Sequence, residues 1–81
     1  MKIKVLFFAR VREIFGEHSR WVEAPEGSSI DEVVARLEPP PGQASFKRLP
    51  LLFAVNENFE TPEKRLSDRD ELAIMTPVSG G

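Results

Sequence analysis

Several residue types that supply chemistry in other proteins are absent or scarce in this chain. It contains no cysteine, which excludes disulfide bonds, thiolate metal ligands and a cysteine nucleophile. Its one histidine, His18, fits a solvated turn better than a catalytic role, because no cluster of carboxylates offers an obvious geometry for acid–base work. We therefore expect no metal site and little side-chain catalysis.

The chain also lacks an excess of basic residues and any long apolar run. Its 11 Lys and Arg are scattered among 13 Asp and Glu, for a net charge of −2, whereas phosphate recognition depends on clustered cations. No apolar run approaches the ~20 residues of a membrane span, and no secretory leader is visible. We expect a cytosolic protein that binds neither nucleic acid nor membrane.

What is present indicates one small globular domain. The 81 residues are 41% hydrophobic and 30% charged, a balance typical of an ordinary folded chain and not of a disordered one. A domain of this size buries only ~60% of the surface that its unfolded chain exposes. There is accordingly little room for an enclosed active site.

Alternating and continuous apolar segments predict the strands. In the first strand Ile3, Val5 and Phe7 face the core, and in the last strand Leu72 and Ile74 do the same. A continuous apolar run in the middle of the chain indicates a central strand that is covered on more than one side. The predicted strands cover residues 2–9, 19–24, 51–56, 59–61 and 71–76.

The segment SSIDEVVARLEPP carries both a start signal and a stop signal for a helix. Ser29 and Glu32 have the spacing of a capping box, in which each side chain satisfies a free backbone N–H at the helix start. An apolar stripe at helical spacing follows, and three prolines then forbid continuation. The helix is predicted over 30–38, and a shorter helical turn over 10–15.

The order ββαβ(β)β describes an α+β, ubiquitin-like β-grasp fold, with a mixed four- or five-stranded sheet and one main helix packed across it. Three segments carry a more specific likeness: KVLFFARVREIFG, LLFAVN and DELAIMTPVSGG. Together they resemble the small subunit of molybdopterin synthase, a ubiquitin-like sulfur carrier. We expect a β-grasp domain over 1–76 and a flexible tail over 77–81 that ends in Gly-Gly.

The resemblance implies that Gly81 carries the chemistry. Its α-carboxylate is ionised at neutral pH and is a poor electrophile. In the family, a ubiquitin-activating-type adenylyltransferase therefore consumes ATP to adenylate it, and sulfur then replaces the adenylate to give a thiocarboxylate. No permanently bound cofactor is implied. Gly80, which lacks a Cβ, is expected to clear a narrow channel in a partner.

The same resemblance implies a division of labour between two subunits. The tail residues Pro77, Val78 and Ser79 are expected to enter the large synthase subunit, which supplies the catalytic side chains. There sulfur passes to cyclic pyranopterin monophosphate and builds the dithiolene of molybdopterin. The small subunit is then a sulfur donor that is not catalytic alone, and a heterotetramer with two copies of each subunit is expected.

Strand parity predicts a docking surface beside the tail. If the core residues face the helix, Phe8 and Met75 share the opposite side of the sheet, with Phe59 near them. Clustered apolar groups of this kind commonly mark an interface; the alternative is that another loop covers them. Arg10 and Arg12, at the exit of the first strand, either contact a partner or lie on the surface.

The chain departs from the family pattern at two positions. Arg69 stands where the turn before the last strand usually has a glycine, and Thr76 stands where a proline is common. Both departures leave the geometry of the local turn open.

Three other functions remain open. A thiamine-pathway sulfur carrier shares the fold and the Gly-Gly end but lacks the start FFARVRE. A protein modifier would be joined to lysines, and a ubiquitin-like binding module would use a tail that does no chemistry.

Overall fold

Five strands, two α-helices and a 3₁₀ turn make up the part of the chain that the computed structural model describes, residues 1–42 and 46–77. The predicted strands are present, each within about two residues of its expected bounds. The elements are β1 (Lys2–Phe7), α1 (Ala9–Phe15), β2 (Ser19–Glu23), α2 (Ile30–Ala35), the 3₁₀ turn (Phe46–Arg48), β3 (Leu52–Val55), β4 (Asn58–Glu60) and β5 (Glu71–Met75).

The strands form one mixed sheet in the order β2-β1-β5-β3-β4. The parallel pair is β1 with β5, and the remaining neighbours are antiparallel. This arrangement confirms the β-grasp fold. The strand predicted as central, β3, is internal, but β5 occupies the middle of the sheet because it pairs with both β1 and β3.

One face of the sheet holds the core, and the predicted strand parity is confirmed. The inward residues of β1 and β5 are fully buried, together with apolar residues of both helices, in one cluster. They are Ile3, Val5, Phe7, Leu72 and Ile74. The opposite face of the sheet, which we call the outer face, carries the alternate residues of each strand.

Helix α1 begins directly where β1 ends and is closed by a glycine. Phe8 is its N-cap residue with extended backbone angles, and Ala9 has a φ of 53°, in the left-handed region. Gly16 has a φ of 71°, and its N–H donates to the carbonyl of Arg12 at 2.8 Å. Left-handed closure of a helix by glycine is favourable because glycine has no Cβ to clash.

The capping box of α2 is confirmed. The Ser29 hydroxyl accepts a hydrogen bond from the N–H of Glu32 at 3.2 Å, and the Glu32 carboxylate accepts one from the N–H of Ser29 at 2.9 Å. These two reciprocal bonds satisfy donors that a helix start leaves free.

The end of α2 was predicted too late. The helix stops at Ala35 and not at Glu38, because its last turn tightens: the N–H groups of Arg36 and Leu37 donate to carbonyls three residues back, each at 3.0 Å. Such 3₁₀-type closure is common at helix ends. Leu37 nevertheless stays in the core, as the apolar stripe required.

Three aromatic rings pack together in the core near the C-terminal end of β1. Phe7 and Phe15 are stacked with ring centroids 4.3 Å apart, and Phe46 meets Phe15 edge-on at 5.0 Å. The guanidinium of Arg20 lies 5.3 Å from the centroid of Phe15 and pairs with the Glu17 carboxylate at 2.6 Å. Phe46 is a core residue that the sequence analysis did not single out.

Candidate docking surface

A row of apolar side chains crosses the outer face of the sheet. Leu6 of β1 lies opposite Ala73 of β5, and Ala73 lies opposite Ala54 of β3. Ala54 in turn lies opposite Phe59 of β4. Directly opposite residues in neighbouring strands are about 4.5–5.5 Å apart, so the row is continuous from β1 to the edge strand β4.

A second row lies closer to the end of β5. Met75 is opposite Leu52, and Phe8 continues the line of β1 because its N–H donates to the carbonyl of Ile74 at 3.1 Å. Leu52 could not be assigned to this face from the sequence, because the unbroken apolar run 51–55 hides the alternation of faces. Apart from Ala54, which is buried, we call the residues of the two rows the outer patch: Leu6, Phe8, Leu52, Phe59, Ala73 and Met75.

The larger side chains of the outer patch are open to solvent. Phe59 is 72% exposed, Leu52 41% and Phe8 38%. Within residues 1–42 and 46–77, no loop covers Phe8 or Phe59, which disagrees with the alternative of a covering loop, whereas Met75 is half-buried. One further large apolar residue, Trp21, is 53% exposed, but it lies on the opposite edge strand beside Lys4.

The tail leaves the sheet next to the outer patch. Strand β5 ends at Met75, and the chain continues through half-buried Thr76 to exposed Pro77. The predictions that concern the tip of the tail fall on residues outside those that the structure describes: Val78, Ser79, Gly80 and Gly81.

The two arginines at the exit of β1 differ in their surroundings. Arg10 is exposed, whereas Arg12 is half-buried. The Arg12 Nε donates to the carbonyl of Phe7 at 3.1 Å, and its guanidinium carbon lies 5.5 Å from the ring centroid of Phe8. The sequence left the roles of both arginines open, because no local pattern predicts the exposure of Arg10 or the contacts of Arg12.

His18 is exposed, and no group of three or more His, Asp or Glu in the described ranges is placed to hold a metal ion. The pKa of Glu32 lies below its usual value, chiefly because its carboxylate accepts the N–H of Ser29. No helix in these ranges is long and apolar enough to cross a membrane.

The chain is similar along nearly its whole length to proteins of a known family. The profile of the ThiS family matches residues 5–81. The chain belongs to the ThiS family. A molybdopterin synthase sulfur carrier subunit of Chlamydomonas reinhardtii is 32% identical over 83 residues, which cover 100% of both chains. One from Escherichia coli (strain K12) is 36% identical over 81 residues and covers 98% of this chain and 99% of its own. These likenesses confirm the resemblance to small subunits of molybdopterin synthase.

Two solved structures share the fold of this ThiS-family chain. A putative molybdopterin converting factor subunit 1 of Pyrococcus furiosus superposes with a TM-score of 0.78 at 25% identity, over 95% of this chain and 98% of the other. The small archaeal modifier protein 1 of Methanosarcina acetivorans gives 0.73 at 26% identity, over 99% and 96%. Both likenesses agree with the ubiquitin-like β-grasp architecture.

The departure at Arg69 has a clear local geometry in this ThiS-family member. Arg69 has a φ of 71°, in the left-handed region where glycine is usual, and its N–H donates to the carbonyl of Lys2 at 2.7 Å. Asp68 accepts the N–H of Lys2 at 2.7 Å, and Asp70 accepts the N–H of Ser67 at 2.8 Å. The turn therefore keeps a glycine-like shape without a glycine, at the end of β5 that is far from the tail.

Proposed function

We propose that this chain is the sulfur carrier subunit of a molybdopterin synthase, with the C-terminal carboxylate of Gly81 as the carrying group. The observation that supports it most is the end-to-end likeness to subunits of that name, with a family match that runs to Gly81. The exposed outer patch beside the root of the tail supports it further, since a carrier must dock before its tail can react.

The proposed chemistry begins at the α-carboxylate. A carboxylate oxygen of Gly81 attacks the α-phosphorus of ATP on the partner adenylyltransferase, and pyrophosphate leaves. A sulfur nucleophile then replaces AMP at the acyl carbon, which leaves a terminal thiocarboxylate. The thiocarboxylate sulfur then displaces an oxygen substituent from a carbon of cyclic pyranopterin monophosphate on the large subunit, and water hydrolyses the resulting thioester. The sulfur stays on the pterin, and the carrier returns to its carboxylate form. This route carries sulfur on a chain that has no cysteine.

The proposed reach of the tail follows from chain geometry. Five extended residues from Pro77 span roughly 17 Å, a distance suited to entry from a docked surface into a buried active site. Glycine at positions 80 and 81 removes Cβ atoms from the narrowest part of such a path. In this proposal the outer patch contacts the large subunit, and the assembly is a heterotetramer.

A second candidate function uses the same activated end. The likeness to a small archaeal modifier protein at 26% identity favours attachment of Gly81 to lysine side chains. In that reaction a lysine amine, not sulfur, would displace AMP and form an isopeptide bond.

The test measures what becomes attached to Gly81. The full chain is incubated with its adenylyltransferase, ATP and a sulfide source, and its intact mass is recorded. A mass gain that matches replacement of one oxygen by sulfur, dependent on ATP, is the expected result. The matched control is a variant that lacks Gly81, which should show no gain. An unchanged mass in the full chain would contradict the proposal.

Two additions separate the rival functions. Covalent attachment of the chain to other proteins in the same mixture would favour the modifier function. When the large subunit and cyclic pyranopterin monophosphate are added, loss of the sulfur from the chain with formation of molybdopterin is expected. A charged carrier that fails to form molybdopterin would instead point to a different pathway, such as thiamine synthesis.

A further inference from the structure

The corner between β1 and α1 lies beside the root of the tail. The chain leaves the sheet at Phe8, whose N–H still donates to the carbonyl of Ile74 at 3.1 Å. It then reverses through Ala9, which has a φ of 53°, and enters α1. A left-handed alanine is uncommon and costs about 1 kcal/mol, so other contacts must hold the corner in this shape.

Arg12 supplies such contacts from the helix side. Its Nε donates to the carbonyl of Phe7 at 3.1 Å, and its guanidinium carbon lies 5.5 Å from the ring centroid of Phe8. The same guanidinium therefore contacts the last residue of β1 and the ring of the residue that follows it. Arg12 is half-buried, as this position requires.

The guanidinium is suited to this task because it is planar. One N–H can donate to a carbonyl while the delocalised cation lies over an aromatic ring. The ring of Phe8, which is 38% exposed, is thus supported on one side. A lysine keeps the charge but has no planar group that satisfies both constraints at once.

We propose that Arg12 is a positioning residue: it holds the Phe8 ring in the orientation in which the outer patch binds the large subunit, without contacting that subunit. The inference rests on the proposed function for the identity of the partner. A ring that is ordered before binding loses less rotamer freedom on docking. Loss of Arg12 should therefore weaken binding through Phe8.

A double-mutant cycle tests this dependence. The full chain, Arg12→Lys, Phe8→Leu and the double variant are titrated into the purified large subunit, and the dissociation constants are measured by calorimetry. Arg12→Lys should weaken binding about fivefold when Phe8 is present. In the Phe8→Leu background the same change should have less than about a 1.5-fold effect, because no ring remains to be positioned. Arg10→Lys, the matched exposed arginine of the same helix, should bind like the parent.

Two outcomes would overturn the inference. An equal loss in both backgrounds would show that Arg12 acts independently of Phe8, as a direct contact with the partner would. No loss in either background would show that the contact with the ring does not matter for binding. If Arg12→Lys proves unfolded in a thermal melt, Arg12→Gln replaces it, since glutamine retains an N–H donor for the Phe7 carbonyl but has no cationic face. Failure of the parent chain to bind would count against the proposed function itself.

Discussion

The N–H of Phe8 and the carbonyl of Ile74 are joined by a hydrogen bond of 3.1 Å, so a residue of the outer patch is tied to the strand from which the tail departs. The neighbouring residue, Met75, is the last of β5, and Pro77 follows two positions later. A partner that binds the outer patch therefore lies at a defined position relative to Pro77, where the tail begins. In the proposed function, this arrangement favours delivery of Gly81 into that partner.

The outer patch predicts a difference between two exposed aromatic residues. Phe59→Asp should weaken binding of the large subunit by about tenfold or more, because it places a charge in an apolar interface. Trp21→Asp is the matched control: Trp21 is also exposed and also on an edge strand, but outside the outer patch. Dissociation constants with purified large subunit decide the matter. An equal loss in both variants, with both folded in a thermal melt, would contradict the assigned surface.

The left-handed conformation of Arg69 predicts a stabilising substitution. Arg69→Gly should raise the free energy of unfolding by about 1 kcal/mol, because glycine takes positive φ without steric cost. The ion pair that it removes, to Asp68 at 3.8 Å, is exposed and contributes little. For a domain of this size the expected gain in Tm is roughly 4–8 °C.

The control for that substitution is Lys64→Gly, which changes an exposed basic loop residue whose φ is not positive. Lys64→Gly should lower Tm, because glycine there only adds freedom to the unfolded chain. A fall in Tm for Arg69→Gly of the same size as for Lys64→Gly would show that the turn stores no such strain.

The capping box predicts a pH dependence. The N–H of Ser29 holds the pKa of Glu32 below its ordinary value of 4.5, so the ionised box stabilises the fold above that pH. This contribution is lost as pH falls through the lowered folded pKa. Between about pH 6 and pH 3, Tm should therefore fall further for the parent than for Glu32→Gln, whose side chain still accepts the hydrogen bond but does not titrate. Parallel Tm curves would contradict this assignment.

Local signals in the sequence predicted the parts of the fold that depend on local chemistry. The reciprocal bonds of Ser29 and Glu32 need only a spacing of three residues, and they are present. The end of α2 could not be predicted from these local signals alone. Its last turn tightens at Arg36 and Leu37, so Leu37 stays buried after the regular helix has stopped. The positions of the prolines set the last residue that the helix could reach, but they do not fix the residue at which it ends.

The sequence likewise predicted only the part of the candidate site that depends on local alternation. Alternation in β1 and β5 indicated that Phe8 and Met75 share a face, and the register agrees. Leu52 was missed because an unbroken apolar run gives no parity, so only its pairing with Met75 reveals its face. The contact of Arg12 with the Phe8 ring depends on how the β1–α1 corner turns, which no local pattern encodes.

In the function we propose, the backbone end at Gly81 does the chemistry and the folded domain delivers it. The most direct measurement is molybdopterin formation in a reconstituted mixture of adenylyltransferase, ATP, sulfide, large subunit and cyclic pyranopterin monophosphate. With one alanine appended after Gly81, product formation should be abolished, although the domain still folds with an unchanged Tm. Undiminished product formation by the extended chain would contradict this function.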